Sequence, residues 1–288
     1  MSADLGVDAL RHAIAVTCYG CGPRRLTSQL RRQGPEAIQH LYEQLTADLR
    51  DGIESEMEEM RADGVASMLL GDRSYPAILA GLRQAPPALF YRGNGELLGL
   101  RAIGVCGSRS ATSQGLSAAR VCGEEIARCG LVVVSGYARG VDTEAHAAAL
   151  DTGGRTVMIL AEGIKRFKIK RWLASKSYDP QQVAIVSQFP PSQAWSAGAA
   201  MTRNAVIIGL SLGLVVIEAR ANGGTLAAGL QALDERRPVL ALEFREDMPP
   251  GNKILLDRGA VSVRSRSQLS ERLQKLLSGN HPGQLTLT

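Results

Sequence analysis

The chain has 288 residues, 45% hydrophobic and 21% charged, and its 33 Lys and Arg against 28 Asp and Glu give a formal charge of +5 at pH 7. That mixture excludes a disordered or collagen-like chain, and no uninterrupted apolar stretch is long enough to span a bilayer. So small a positive surplus permits a polyanionic partner without requiring one, and the placement of the cations has to decide.

The first ten residues, MSADLGVDAL, lack the basic start and apolar run of a secretory signal. With five scattered cysteines, the expectation is a reduced, cytoplasmic protein. Residues 1–65 read as a small helical domain with periodic segments at 5–16, 24–32 and 35–45. Gly20-Cys21-Gly22-Pro23 and Gly34-Pro35 separate them, and each proline stands where a helix start tolerates it. Cys18 and Cys21 form a single CxxC with no second ligand pair, which reads as helix packing rather than zinc or redox chemistry. The acidic stretch 43–63 reads as a solvated helix face. Residues 66–100 are expected to form a linker packing on the next domain, irregular over 69–95 because Tyr75-Pro76 and Pro86-Pro87 forbid a continuous helix.

From 101 to 278 the pattern changes. Short β-rich runs at 102–106, 131–135, 156–161, 184–187, 214–218, 239–243 and 260–263 alternate with helical stretches at 114–128, 143–150, 201–211, 225–236 and 268–277. Aromatics are only 4% of the chain, so Ala, Val, Leu and Ile must build the core. Both features predict an α/β, Rossmann-like, doubly wound and mostly parallel sheet, followed by a tail at 279–288 with nothing to pack against. In such a sheet the ligand lies beyond the carboxyl ends of the strands.

Four loops at those ends carry unusual chemistry. Gly107-Ser108-Arg109 offers backbone N–H groups, a hydroxyl and a charged fork to a phosphate, without the GxGxxG or Gly-Lys-Ser/Thr spacing of a nucleotide loop. The loop from Ser135 to His146 places Gly136 and Gly140 for close approach of a ligand, with Asp142 positioned to cap the helix that carries His146. His146 itself reads as a buried histidine facing the sheet, since no nucleophile or metal partner accompanies it. The run 163–173, GIKRFKIKRWL, interleaves Lys165, Arg166, Lys168, Lys170 and Arg171 with Phe167 and Trp172, the pairing of cations and rings used to hold single strands. Finally, Gly223, Gly224 and Thr225 open a helix after the strand ending in Glu218, and Thr202, Arg203 and Asn204 stand at the expected start of the preceding one. No metal cluster, paired carboxylates or nucleophile with a base is evident, so neither cofactor nor catalysis is expected.

These residues resemble the DNA-processing protein A (DprA/Smf) family, bacterial single-strand DNA binders that load the RecA recombinase. The blocks GCGPRRLTSQLRRQGPEAI, LLGDRSYPAILAGLRQAPPALFYRGNGELL, GSRSAT, SGYARGVDTEAHAAAL, TRNAVIIGLS, VIEARANGGTLAAGLQALDERRPVLAL and GNKILLDRGA follow in the family's order. The resemblance implies an extended Rossmann fold, a homodimer, no catalysis, and DNA held by Ser108 and Arg109, Gly136 and Gly140, and Gly163 with Lys165, Arg166 and Phe167. Asn204 matches the asparagine of an Arg-Asn-Arg block whose second arginine is here Ala205, and Gln188 stands where a glutamate is usual. No counterpart of the C-terminal winged-helix domain of many members is expected. Two alternatives stay open: an antitoxin-like or phage-defence partner that binds a cognate protein or a nucleotide, and a nucleoside-monophosphate phosphoribohydrolase-like enzyme, whose motif glutamate is replaced by Ala228.

Overall fold

Runs such as Val132-Val133-Val134 and Val183-Ala184-Ile185-Val186 are apolar on both faces, the composition of strands buried between two helical layers. In the computed structural model, which describes residues 5–20, 22–34, 36–175, 179–245 and 247–279, they are interior strands of a nine-stranded sheet. The strands are β1 (Val65–Leu69), β2 (Ala88–Gly93), β3 (Ala102–Cys106), β4 (Val132–Gly136), β5 (Arg155–Ile159), β6 (Val183–Ser187), β7 (Leu214–Val216), β8 (Val239–Leu242) and β9 (Val261–Val263). Their order is β1-β2-β6-β5-β4-β3-β7-β8-β9. The seven strands β3 to β9 pair in parallel, as the alternating pattern predicted, while β2 runs antiparallel to β6 and β1 antiparallel to β2.

The last two strands of that description correct the expectation of an irregular stretch over 69–95. Pro86 and Pro87 stand just before β2 and leave its ladder intact, where a proline inside the strand would have removed a hydrogen bond. The segment between β1 and β2 is itself fixed: the Tyr75 hydroxyl donates to the Pro86 carbonyl at 2.7 Å, and the Leu70 N–H to the Pro87 carbonyl at 3.0 Å.

The helices are α1 (Leu5–Tyr19), α2 (Pro23–Gln33), α3 (Glu36–Glu43), α4 (Ala47–Ala62), α5 (Ala77–Ala80), α6 (Ser113–Arg128), α7 (Val141–Asp151), α8 (Arg171–Ala174), α9 (Ala197–Leu210), α10 (Gly224–Asp234), α11 (Pro250–Asp257) and α12 (Arg266–Ser278). Side chains alternate between the faces of each strand. Ile103, Val105 and Val133 pack with Ile126, Val141, Ala145 and Leu269 from α6, α7 and α12. Val132, Val134 and Val157 belong to the opposite layer, with Val206 and Ile207 of α9 and Ile14 of α1. The acidic α4 buries Ile53, Met57 and Met60, spaced by four and three residues, and turns its glutamates outward. Cys18 is an exposed free thiol, while Cys21 and residues 280–288 of the expected tail lie outside the described residues.

From β3 the chain winds outward through β4, β5 and β6, then returns to lay β7, β8 and β9 on the other side of β3. The winding therefore reverses between β3 and β7, and a crevice opens beyond their carboxyl ends.

Candidate nucleic-acid interface

That crevice, about 460 Å³, is walled by the turn after β3, the loop after β4, the first turns of α9 and the loop between β7 and α10. A neighbouring hollow of about 480 Å³ shares Arg109, Ala138, Arg139, Trp195 and Arg203 with it and continues to Tyr137, Glu162 and Lys170. Five cations, Arg109, Arg139, Lys170, Arg203 and Arg220, line the two, against the three carboxylates of Asp142, Glu162 and Glu218. Arg109, Arg139 and Arg220 are exposed and make no ion pair with any described residue. Their charge is available to a polyanion.

Two glycines let the loops close on each other. Gly140 has φ of 82°, and a Cβ there would lie 2.5 Å from the Ser108 carbonyl oxygen, so the loop after β4 meets the turn after β3 backbone to backbone. At Gly136 a Cβ would collide with Arg203 Nη1 and lie 2.5 Å from Asp142 Oδ2. Its bare backbone leaves room for Arg203, which is 7% exposed on the crevice floor and donates from Nη1 to the Ile159 carbonyl at 2.7 Å. Arg203 Nε is buried with no hydrogen-bond partner among the described residues. Burial lowers the pKa of this guanidinium from its ordinary value, with Asp142 opposing the shift. A buried cation so incompletely bonded favours an anion above it.

The helix starts are not equivalent. At α6 the Thr112 side chain caps Gly115 N–H, and the Thr112 N–H and hydroxyl both donate to Glu218 at 3.0 Å, so that terminus already holds a carboxylate. At α9 Ser196 caps Ala199 N–H, and the helix begins at Ala197, which puts Thr202, Arg203 and Asn204 in its second turn rather than at its start. Asp142 does not cap α7: Gly140 is the N-cap, and the Asp142 carboxylate accepts from Ala138 N–H at 3.3 Å. Glycine, with no side-chain oxygen, occupies the N-cap of α10, where Gly223 leaves the first N–H groups facing the crevice without a side-chain cap. Thr225 ties this start to the turn after β3 by donating to the Gly107 carbonyl at 3.1 Å, and Asn204 Nδ2 lies 3.5 Å from the Gly224 carbonyl. The Ser108 hydroxyl oxygen accepts from Ser110 N–H at 3.1 Å, leaving its own proton to donate.

The basic run after β5 is divided. Gly163 N–H donates to the Gln193 carbonyl at 2.8 Å and fixes the loop. Lys165 turns away from both hollows to pair with Glu59 at 2.8 Å and Glu56 at 3.4 Å on α4. Arg166 donates to the Ser192 carbonyl at 3.1 Å, and Lys168 is exposed outside both hollows. Only Lys170 reaches a hollow, donating to the Tyr137 carbonyl with its ammonium 4.1 Å from the Tyr137 ring centre. Phe167 packs on Tyr137 at 5.2 Å between ring centres, and Trp172 stacks within 3° of parallel on His146 at 6.3 Å. Both rings are half-buried.

His146 is fully buried, its Nε2 donating to the Gly136 carbonyl at 2.7 Å and its Nδ1 2.5 Å from the Thr156 hydroxyl. Burial lowers its pKa from 6.5 to about 4, opposed by the Gly136 hydrogen bond and Asp142. Because the folded-state pKa lies below the unfolded one, the unfolded chain binds the extra proton. The stability tied to this residue is therefore complete above pH 6.5 and is lost as the pH falls toward 4. Thermal melts at pH 7 and 4.5 should differ by about 2–3 kcal/mol more for the parent than for His146→Gln. Equal losses would contradict the assignment.

The sequence model described as DNA recombination-mediator protein A matches residues 66–274. The chain belongs to that family. Bacillus subtilis DNA processing protein DprA is 30% identical over 216 residues, 74% of this chain and 73% of the relative. The Streptococcus pneumoniae protein is 33% identical over 196 residues, 67% and 69% of the two chains. The X-ray structure of DprA from Streptococcus pneumoniae superposes with a TM-score of 0.68 at 27% identity, covering 92% of this chain and 93% of that one. A Helicobacter pylori DNA processing protein A, described for its single-stranded DNA binding mode, shares the fold with a TM-score of 0.63 at 22% identity, covering 73% and 96%.

In this recombination-mediator family member, the residues missed by sequence reasoning are those whose partners lie far along the chain. Glu218 reads as a strand end, yet it closes the α6 terminus 106 residues upstream. Trp195 stands exposed at the crevice with the Arg109 guanidinium 5.2 Å from its ring centre. Asn252, inside the GNK block, is fully buried and holds the backbone that leads into α10. Among the described residues no three His, Cys, Asp or Glu side chains gather as a metal site, and no helix is long and apolar enough to cross a membrane.

Proposed function

We propose that this member of the recombination-mediator family binds single-stranded DNA in the crevice between the ends of β3 and β7 and does not cut it. The carrying observation is the set of exposed, unpaired guanidiniums of Arg109, Arg139 and Arg220 around the side-chain-free start of α10, with the under-bonded Arg203 below. Phosphates need such donors, and a single strand needs them along a groove. The groups present support holding rather than reaction. No histidine lines the crevice among its described residues, Asp142 and Glu218 are engaged by backbone N–H groups, and burial raises the pKa of the Cys106 thiol far above its ordinary value. Within this reading the held strand is presented to the RecA recombinase by a homodimer of the chain.

Titration of a labelled oligothymidylate checks the reading. Binding should weaken linearly in log–log form with added salt, with a slope of about −2 to −3 for three or four displaced phosphate counterions. Absence of binding at low salt, or binding indifferent to salt, would overturn it. Lys165 provides an internal control. Because Glu56 and Glu59 already hold its ammonium, Lys165→Ala is expected to change oligonucleotide affinity by about twofold or less. A loss as large as that of an Arg109 variant would place Lys165 on the strand's path instead.

A further inference from the structure

We propose that Trp195 is the base-stacking platform of this site, and that Arg109 covers it when no strand is bound. The inference rests on the reading of the crevice as a single-strand site and adds which ring meets the bases.

Three observations converge on Trp195. The other rings near the site are engaged: Tyr137 carries the Lys170 ammonium on one face and Phe167 and Trp172 around it, and Trp172 lies parallel to the His146 ring. Trp195 is 49% exposed, and Met201, 43% exposed, lines the same crevice. Two large apolar side chains left open to water beside a cationic groove mark a surface that meets a ligand. Finally, Trp195 and Arg109 both line the crevice and the neighbouring hollow, so a chain that occupies both spaces has to cross this pair.

The backbone under the ring is fixed from both sides. Before it, Gln193 is held by hydrogen bonds between its carbonyl and Gly163 N–H at 2.8 Å and between its own N–H and the Pro190 carbonyl at 2.9 Å. After it, Ser196 caps α9 through Ala199 N–H at 3.0 Å. A ring on so short and anchored a span loses little conformational freedom when a base lies on it. The Arg109 guanidinium, 5.2 Å from the ring centre, satisfies the ring's negative face in the free protein. When a strand enters, a phosphate draws the guanidinium and a base takes the ring, so one step exchanges a cation–π contact for a charged hydrogen bond and a stack.

The test compares an oligothymidylate with an abasic oligonucleotide of the same length and charge, on the parent, Trp195→Ala and Trp195→Phe proteins. The parent should prefer the base-bearing strand. Trp195→Ala should lose about tenfold on that strand and nothing on the abasic one, and Trp195→Phe should restore most of the loss. The chain has two tryptophans, so fluorescence quenching by oligothymidylate that is present in the parent and absent in Trp195→Phe locates the base on this ring. Equal affinity of the parent for both strands, or an equal loss by Trp195→Ala on both, would overturn the stacking role while leaving the phosphate site intact. Failure of the parent to bind either strand would instead remove the reading on which it rests.

Discussion

Arg109→Ala is expected to weaken binding of a single-stranded oligonucleotide by roughly tenfold to a hundredfold, the range for loss of one charged hydrogen bond. It should also make the salt slope shallower by about 0.7, one phosphate contact on a single strand. The size follows from position. Arg109 lies on the border of the two hollows, is exposed, and has no carboxylate partner among the described residues, so its fork is committed to nothing but the Trp195 face. Folding stability should stay within about 0.5 kcal/mol of the parent, because an exposed side chain without structural bonds is removed. Arg109→Lys separates charge from shape: it should keep the salt slope and recover only part of the affinity, since an ammonium cannot form the bidentate fork. An Arg109→Ala protein with parental affinity would remove the proposed path.

The largest stability effect is expected at Asn252. Its side chain is fully buried, with Oδ1 accepting from Ala219 N–H at 2.8 Å and Nδ2 donating to the carbonyls of Leu242 at 2.7 Å and Ile217 at 2.9 Å. One amide thus ties the end of β7 to the end of β8 and sets the direction of the loop that carries Arg220 and Gly223. Asn252→Leu keeps the volume and leaves three backbone groups buried without partners. The expected destabilisation is about 3–5 kcal/mol, or a melting temperature lower by about 10 °C. Loss of this bracket should also lower oligonucleotide affinity in the folded fraction, because the start of α10 shifts with the loop. A melting temperature within about 3 °C of the parent would mean that water or another side chain replaces the amide.

How much of this was legible in the sequence depended on whether the signal was local. The parallel strands were, because Val132 to Val134 or Val183 to Val186 can be buried on both faces only inside a covered sheet. The turn Gly107-Ser108-Arg109 was legible for the same reason, as a polar punctuation at the end of such a run. The strands β1 and β2 were not: prolines that merely precede β2 look, in one dimension, like prolines within it. Charge was the most misleading feature. The acidic stretch of α4 read as a solvated face and the basic run after β5 as a separate strand-holding surface, yet Glu56 and Glu59 meet Lys165 across more than a hundred residues. Phe167 and Trp172 carried the composition of a stacking surface and are half-buried against Tyr137 and His146, while Trp195, alone between a Pro-Pro turn and a helix cap, carried no composition signal at all.

The reversal of winding at β3 has a consequence for assembly of the chain. Arg109 and Arg139 come from the half laid outward through β4 to β6, whereas Arg203 and Arg220 arrive only as the polypeptide doubles back to lay β7 and β8. A nascent chain stalled near residue 200 would carry three of the five lining cations, Arg109, Arg139 and Lys170, and no opposite wall. The proposed grip on a sugar–phosphate strand is therefore a property of the finished molecule, and a strand held in the crevice would clasp the two halves together, strengthening the native state with the logarithm of ligand concentration above the Kd.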